Sequence, residues 1–239
     1  MKIVKPVFLM TALLMCSGIV SAQTADEVIA KYVKACGGKE FLSKLTSVYT
    51  ESKADVMGME SAQRSTILNG KGLKTEMEVM GSVITTCITD NGGWMINPMT
   101  GSNSAEDMPE AQYNASKDQI FIGAPFTIWS ESGYTAELSG NEAVGTVNAI
   151  KVKLTAPDNT SGVYFFDPET GYLIKTISRA EMQGQMVENI VTYSDYRLAD
   201  GYAIPYKTMM DMGGMFELTS AVTKVELNKP VDPSFFAKP

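Results

Sequence analysis

The pattern of apolar and polar positions predicts a helical start followed by a long β-rich remainder. Five apolar side chains recur at helical spacing and predict an amphipathic helix: Val28, Ile29, Tyr32, Val33 and Cys36. Thr24 is suited to cap this helix, because Glu27 follows it at capping-box spacing. Gly37-Gly38 then ends the helix. A second short helix is predicted around Leu42, and two helices this short need another element to pack against.

After Thr46 the pattern changes to strand-length segments separated by turn residues. Residues 75–79 alternate polar and apolar side chains, which places Met77 and Val79 on the buried side of a strand. Turn sequences recur, as in Asn69-Gly70 and in residues 167–171. About ten strands without intervening helices predict an antiparallel sheet, and a sheet of this size is expected to curl.

Residues 97–129 interrupt this regular pattern. Proline, asparagine, serine and acidic residues dominate 97–118, which predicts a loop with room for a short helix over 109–118. Residues 119–129 are apolar and aromatic and include Pro125. Both a buried segment and a mobile flap are compatible with that composition.

The first 22 residues have the features of a secretory signal peptide. Lys2 and Lys5 precede an apolar run, and small residues lead to a cleavage site after Ala22. Acylation of Cys16 is the alternative, which the bulky Met15 before it disfavours. We expect residues 1–22 to be removed on export and residues 23–239 to form a single domain.

Composition excludes several classes of function. The chain has no histidine, which removes the most frequent general base and metal ligand. No Gly-rich phosphate loop, paired CxxC or GxSxG motif is present. With a net charge of −7 and no basic stripe, the chain is poorly suited to nucleic acid. We predict a binding protein that is not an enzyme and uses no cofactor and no metal ion. A lysine- or carboxylate-based enzyme is the remaining catalytic alternative.

Cys36 and Cys87 both lie within residues 23–239. An oxidising compartment would permit a disulfide between them. Two buried free thiols are the favoured interpretation, because free cysteine behaves as a small core residue.

Methionine and aromatic residues suggest an apolar binding site. Thirteen of the 16 methionines lie after residue 22, and this flexible side chain lines surfaces that accept varied apolar shapes. Ordinary core packing is the alternative for each residue taken singly. We predict a hydrophobic ligand-binding cavity with the following lining: Met57, Met59, Met77, Val79, Trp94, Ile96, Phe121, Phe126, Trp129, Tyr164 and Phe166.

Four segments share patterns with one known family. They are the opening helices at 25–45, a Tyr-x-Phe-Asp-Pro-x-Thr-Gly motif at 164–171, a Tyr-Arg-x-x-Asp-Gly-x-x-Ile-Pro motif at 196–205 and an Asn-x-Pro-Val-Asp-x-x-x-Phe motif at 228–236. Together they resemble the LolA/LolB-like superfamily of periplasmic proteins, many of which are outer-membrane lipoprotein-sorting proteins. These motifs are turns and framework, so they carry no binding residues with them.

The resemblance implies a mainly β (α+β) fold. The expected architecture is a strongly curved antiparallel sheet that forms an unclosed half-barrel, with short helices covering the concave face. The implied function is a periplasmic carrier that holds lipid or lipoprotein acyl chains in a hydrophobic cavity for outer-membrane sorting. Lipid or an acylated protein is the expected partner, envelope membrane proteins are further candidates, and the chain is expected to be a monomer. The alternative function is a ligand-free sensor or scaffold that interacts with envelope proteins.

Overall fold

A computed structural model describes residues 23–56, 58–182, 185–215 and 217–239. The predicted signal peptide, with Cys16, and the predicted cavity residue Met57 lie outside this range. Thirteen strands form one antiparallel sheet in the order β6-β5-β4-β3-β2-β1-β13-β12-β11-β10-β9-β8-β7. In the described chain β6 and β7 are its two edges and do not pair, so the sheet is an unclosed half-barrel.

The strands follow one another along the chain as hairpins, except that residues 108–134 connect the two edge strands. Their bounds are β1 Ser47–Val56, β2 Met59–Leu68, β3 Gly72–Val79, β4 Ser82–Thr89, β5 Gly92–Asn97, β6 Ser102–Asp107, β7 Thr135–Val144, β8 Val147–Thr155, β9 Ser161–Phe166, β10 Leu173–Met182, β11 Gln185–Ala199, β12 Tyr202–Met212 and β13 Glu217–Leu227.

Three short α-helices accompany the sheet: α1 Ala25–Ala35, α2 Lys39–Lys44 and α3 Glu110–Ser116. The predicted capping box of α1 is confirmed. The backbone N–H of Glu27 donates to the Thr24 hydroxyl at 3.2 Å, and the Thr24 N–H donates to the Glu27 carboxylate at 3.0 Å. Single-turn 3-10 helices lie at Pro98–Thr100, Lys117–Ile120 and Pro233–Phe236.

The sheet has an inner face, which carries α1 and α2, and an outer face. Successive residues of a strand point to opposite faces, and the registers place Val48, Ile67 and Leu73 side by side on the inner one. There they meet the buried side chains of α1, α2 and the segment 120–126. The predicted apolar face of α1 is confirmed, since Val28, Ile29, Val33 and Cys36 are buried and Tyr32 packs beside them.

The sheet also has two different ends. The helix end is where β1 begins at Ser47, and the tip end is where β1 finishes at Val56. In β1 and β13 the buried inner-face residues lie near the helix end, as with Val48 and its partner Leu227, whereas in β8 the buried Leu154 lies near the tip end. In β2, inner-face residues towards the tip, such as Ser61 and Gln63, are half-buried, while their outer-face neighbours are exposed.

The interruption at 97–129 is more ordered than the sequence predicted. Residues 97–118 were expected to begin as a loop, but they include the edge strand β6, which pairs with β5. The short helix expected within 109–118 is present as α3. For residues 119–129 the buried-segment alternative is correct, because Ile120, Ile122 and Phe126 are buried.

Cys36 and Cys87 are both buried and both free. Cys36 belongs to the inner-face core, whereas Cys87 lies on the outer face with Trp94. The interpretation as two buried thiols is therefore confirmed. Among the helices of the described residues, none is long and apolar enough to cross a membrane.

Candidate functional site: an apolar groove beside an aromatic core

Three of the predicted cavity residues meet on the inner face. The Phe126 ring lies edge-on to Tyr164 and to Phe166, with ring centroids 5.0 and 5.4 Å apart. Tyr32 of α1 closes the group, at 4.9 Å from Phe126 and 5.6 Å from Phe166. Edge-to-face aromatic pairs in this distance range are stabilising. The inner face of the half-barrel thus carries a packed aromatic core.

The polar atoms around this core are held in their neutral forms. Burial, with a further contribution from Cys36, raises the pKa of Tyr32. Burial raises the pKa of Tyr164 to about 12 and that of the Cys36 thiol to about 11. The Tyr196 hydroxyl donates to the Leu173 carbonyl at 2.8 Å. None of these groups is poised as an acid or base near neutral pH.

A groove of about 440 Å³ runs beside the aromatic core, between α1 and the segment 126–130. The apolar side chains that line it are Ile29, Ala30 and Val33 from α1, and Phe126 and Trp129 from the facing segment. Asp26, Lys34 and Lys39 also line it, all exposed. The groove is therefore apolar at its base and charged at its margins, and its volume is in the range of small-molecule sites.

The segment that forms one wall of the groove is fixed at several points. The N–H of Ile122 donates to the Asn69 side chain at 3.1 Å, and the N–H of Gly70 donates to the Ile120 carbonyl at 2.9 Å. These bonds tie the segment to the β2–β3 turn. Further along, Lys39 of α2 forms a salt bridge of 2.9 Å with Glu131.

A smaller groove of about 200 Å³ lies on the other side of the same segment, against α2. Its apolar lining includes Leu42, Phe121 and Ile128. Lys39 and Thr127 border both grooves. The segment 121–131 is therefore a wall between two depressions, and a bound chain in either would contact it.

Two other predicted cavity residues, Trp94 and Ile96, lie elsewhere. The register of β4 and β5 places Trp94 beside Cys87 on the outer face, and Ile96 packs against the same cluster. The C-terminal segment covers them: the Trp94 indole N–H donates to the Phe236 carbonyl at 2.9 Å. Trp94 and Ile96 are thus separated by the sheet from the aromatic core.

The remaining predicted residues are spread along the inner face. Phe121 packs on the cluster of Leu73 and Ile88. Met77 and Val79 are half-buried on β3 towards the tip end, and Met59 is exposed at the start of β2. The ligand-binding role of all these residues stays a prediction.

Sequence reasoning overlooked the contribution of α1 to the site. Ile29, Val33 and Ala30 line the groove, and Tyr32 completes the aromatic core. The helical periodicity marked Ile29, Tyr32 and Val33 as a buried face but gave no partner for that face. Among the described residues, no group of three or more His, Cys, Asp or Glu side chains is arranged to hold a metal ion.

Known structures share this fold at very low sequence identity. A DUF1329 family protein from Desulfovibrio piger matches with a TM-score of 0.60 and 11% identity, covering 89% of this chain and 97% of that one. A LolA superfamily protein from Nitrosomonas europaea matches with a TM-score of 0.60 and 12% identity, covering 91% and 99%. A domain from Vibrio parahaemolyticus, named for outer membrane lipoprotein sorting, matches with a TM-score of 0.58 and 11% identity, covering 90% of this chain and 96% of that one.

Comparison of the sequence with protein-family models and with curated proteins gives no match. The likeness to known proteins therefore rests on the backbone alone. The resemblance seen in the motifs is confirmed at that level: the chain has the fold of LolA superfamily proteins.

Proposed function

We propose that this protein is a periplasmic carrier that binds lipid or lipoprotein acyl chains in the groove between α1 and the segment 126–130. The observation that carries the proposal is the lining of that groove, where Phe126 and Trp129 face the apolar side of α1. The predicted export signal and the resemblance to sorting proteins support the same assignment.

The groove can contact both parts of a lipid, the apolar acyl chain and the charged headgroup. Each methylene group removed from water contributes about 0.8 kcal/mol, so even a partly enclosed chain is held. Lys34 at the margin supplies an ammonium group for an anionic headgroup or carboxylate. Release then requires a membrane or a partner protein that takes over the chain.

The two tryptophans allow a direct test, because the chain has only two. Trp129 lines the groove and Trp94 lies on the outer face. A fatty acid with a brominated chain should quench the fluorescence of the Trp94→Phe variant, in which Trp129 is the sole reporter. The Trp129→Phe variant, which keeps Trp94, should be unaffected. Equal quenching of both variants, or of neither, would contradict a site in this groove.

A substitution that fills the groove should weaken binding. Ala30 is exposed on the groove side of α1, and Ala30→Phe would displace about two methylene groups of the ligand. At about 0.8 kcal/mol each, that corresponds to a Kd roughly tenfold higher. Ala111→Phe, at an exposed position of α3, is the matched control and should leave the Kd unchanged.

A ligand-free sensor or scaffold is the second candidate, and one observation favours it. Tyr32, Phe126 and Phe166 pack directly on one another and fill space that a larger cavity would need. A sensor of this kind would take up no acyl chain and would bind a protein partner instead. The absence of quenching in the Trp94→Phe variant, with the fold intact, would support this candidate over the carrier.

A further inference from the structure

The exposed methionines are concentrated at the tip end of the sheet. Because the strands alternate in direction, six connections lie at that end. One of them, β8–β9, has no methionine; the other five are β1–β2, β3–β4, β5–β6, β10–β11 and β12–β13. Each of these five has an exposed methionine within it or beside it: Met59 (42%), Met80 (71%), Met99 (51%), Met186 (66%) and Met215 (55%). These five residues are called the methionine rim below.

The helix end of the sheet shows the opposite composition. Its five connections, at residues 69–71, 90–91, 145–146, 167–172 and 200–201, have no methionine in them or within two residues on either side. Asparagine, aspartate, glycine and threonine dominate there. If methionine were simply frequent throughout the chain, it would occur in the connections at both ends of the sheet. Its restriction to the tip end therefore indicates a specific role.

Four described glycines of the rim turns face open space, whereas Gly213 in the β12–β13 turn approaches Val187 of β11. A Cβ atom built on the turn glycines would meet no atom within 4 Å at any of these positions: Gly58, Gly81, Gly101 and Gly214. Exposed apolar side chains that form an organised set mark a surface that meets something other than water. The rim is open for such contact.

The breadth of the rim selects the kind of partner. The five connections extend over ten neighbouring strands, from β6 to β10. At about 4.8 Å per strand this corresponds to roughly 40 Å along the arc of the sheet. A helix of a partner protein, about 10 Å wide, would reach only one or two of these turns. A lipid bilayer presents a surface broad enough to meet all five.

The charges beside the rim select the kind of lipid. Among the described side chains, five carboxylates and no lysine or arginine lie within two residues of the five connections: Asp55, Glu60, Glu78, Asp211 and Glu217. Anionic headgroups would be repelled by this set. The ammonium groups of zwitterionic phospholipids, which are outermost on the bilayer, would be attracted.

We propose that the methionine rim docks the protein, tip end first, on a bilayer of zwitterionic phospholipid. The methionines enter the interface between headgroups and acyl chains, and the carboxylates pair with the ammonium groups. On the inner face behind the rim, the half-buried Met77, Val79, Ile84 and Met210 continue the apolar surface inward. This docking goes beyond the proposed acyl-chain binding and does not depend on it.

Co-flotation with vesicles of phosphatidylcholine and phosphatidylethanolamine tests the docking. The unmodified protein should float with them, and replacing part of the lipid by anionic phosphatidylglycerol should reduce the floated fraction. Serine at all five rim positions should lower vesicle partitioning at least about tenfold, since the full burial of a single such side chain already contributes about that factor. The control replaces three exposed apolar residues away from the rim with serine, and should float normally: Leu138, Leu198 and Phe235.

The orientation is tested with a single tryptophan in the Trp94→Phe, Trp129→Phe background. Met215→Trp places the reporter on the rim, and Thr146→Trp places it in an exposed turn at the helix end. Brominated phosphatidylcholine should quench the first reporter and leave the second unchanged. Absence of flotation, equal quenching at both ends, or binding that requires anionic lipid would overturn the proposal.

Acyl-chain binding in the groove and docking through the rim can be tested independently of each other. The serine rim variant should still bind a monomeric brominated fatty acid through Trp129, because its groove is untouched. Ala30→Phe should still float with vesicles, because its rim is untouched. Loss of fatty-acid binding in the rim variant, with the fold intact, would contradict the separation of the two sites.

Discussion

At the scale of single residues, Phe235 and Phe236 are adjacent in sequence and opposite in environment. Phe236 is 3% exposed in the outer-face cluster of Cys87 and Trp94, whereas Phe235 is 41% exposed. We expect Phe236→Ala to lower the free energy of unfolding by about 3–5 kcal/mol, as for other buried aromatic residues. Phe235→Ala, the matched control, should cost about 1 kcal/mol, since this exposed ring loses only its contact with Lys74 and an edge-on contact with Phe236. Urea denaturation measures both, and equal losses would contradict the described packing.

Buried phenol and thiol groups predict sensitivity to alkali. Burial raises the pKa of the Cys36 thiol from 9.0 to about 11, and that of Tyr164 from 10.0 to about 12. Each group loses its proton more readily in the unfolded state than in the folded state. Its contribution to the free energy of unfolding is therefore complete below its pKa in the unfolded state, and is lost as the pH rises towards its pKa in the folded state. The free energy of unfolding should therefore fall between pH 9 and 12.

Denaturation at a series of pH values measures this fall. A variant with Cys36→Ala should show a shallower decline between pH 9 and 11, and Tyr164→Phe should show one between pH 10 and 12. A free energy of unfolding that stays constant from pH 9 to 12 would show that these groups are not buried as described.

At the scale of elements, α1 is both the best-capped helix and one wall of the groove. Thr24→Ala removes the hydroxyl that accepts the Glu27 N–H, and should cost about 1 kcal/mol of stability. Thr24→Ser keeps the hydroxyl and should be nearly neutral. Because the cap lies one turn from the groove residue Ile29, Thr24→Ala should also weaken acyl-chain binding. Thermal denaturation and the Trp129 quenching assay give the two readouts.

Most elements could be predicted from the sequence, because their apolar periodicity is local information. The helix α1 and the hairpin turns were evident from capping and turn residues. The strand β6 was not, because its sequence Ser-Asn-Ser-Ala-Glu-Asp has no apolar alternation and its side chains are mostly exposed. Pairing with β5 at the sheet edge makes it a strand, and that contact is not encoded in its own residues.

At the scale of the whole molecule, the face on which a strand residue lies depends on long-range register. The sequence identified Phe126, Tyr164 and Phe166 as apolar candidates, and the fold brings them together. It could not place Trp94 on the outer face, because that position follows from the β4–β5 register and from a C-terminal segment 142 residues away. A one-residue change of register would reverse the face.

The whole molecule also separates two kinds of apolar surface. The groove lies between α1 and a fixed segment, whereas the methionine rim is formed by turns at the tip end of the sheet. On our account the groove holds an acyl chain and the rim meets the bilayer from which such a chain comes. On the inner face behind the rim, Met77 and Met210 are half-buried.

Native mass spectrometry of the protein, gently purified from the cell envelope, followed by organic extraction, shows whether it carries an acyl chain. We expect added mass that extracts as lipid or acyl chain, and its loss in the Ala30→Phe variant but not in Ala111→Phe. A bare polypeptide mass that does not change when fatty acids or lipopeptides are offered would contradict the carrier function and favour a ligand-free sensor or scaffold.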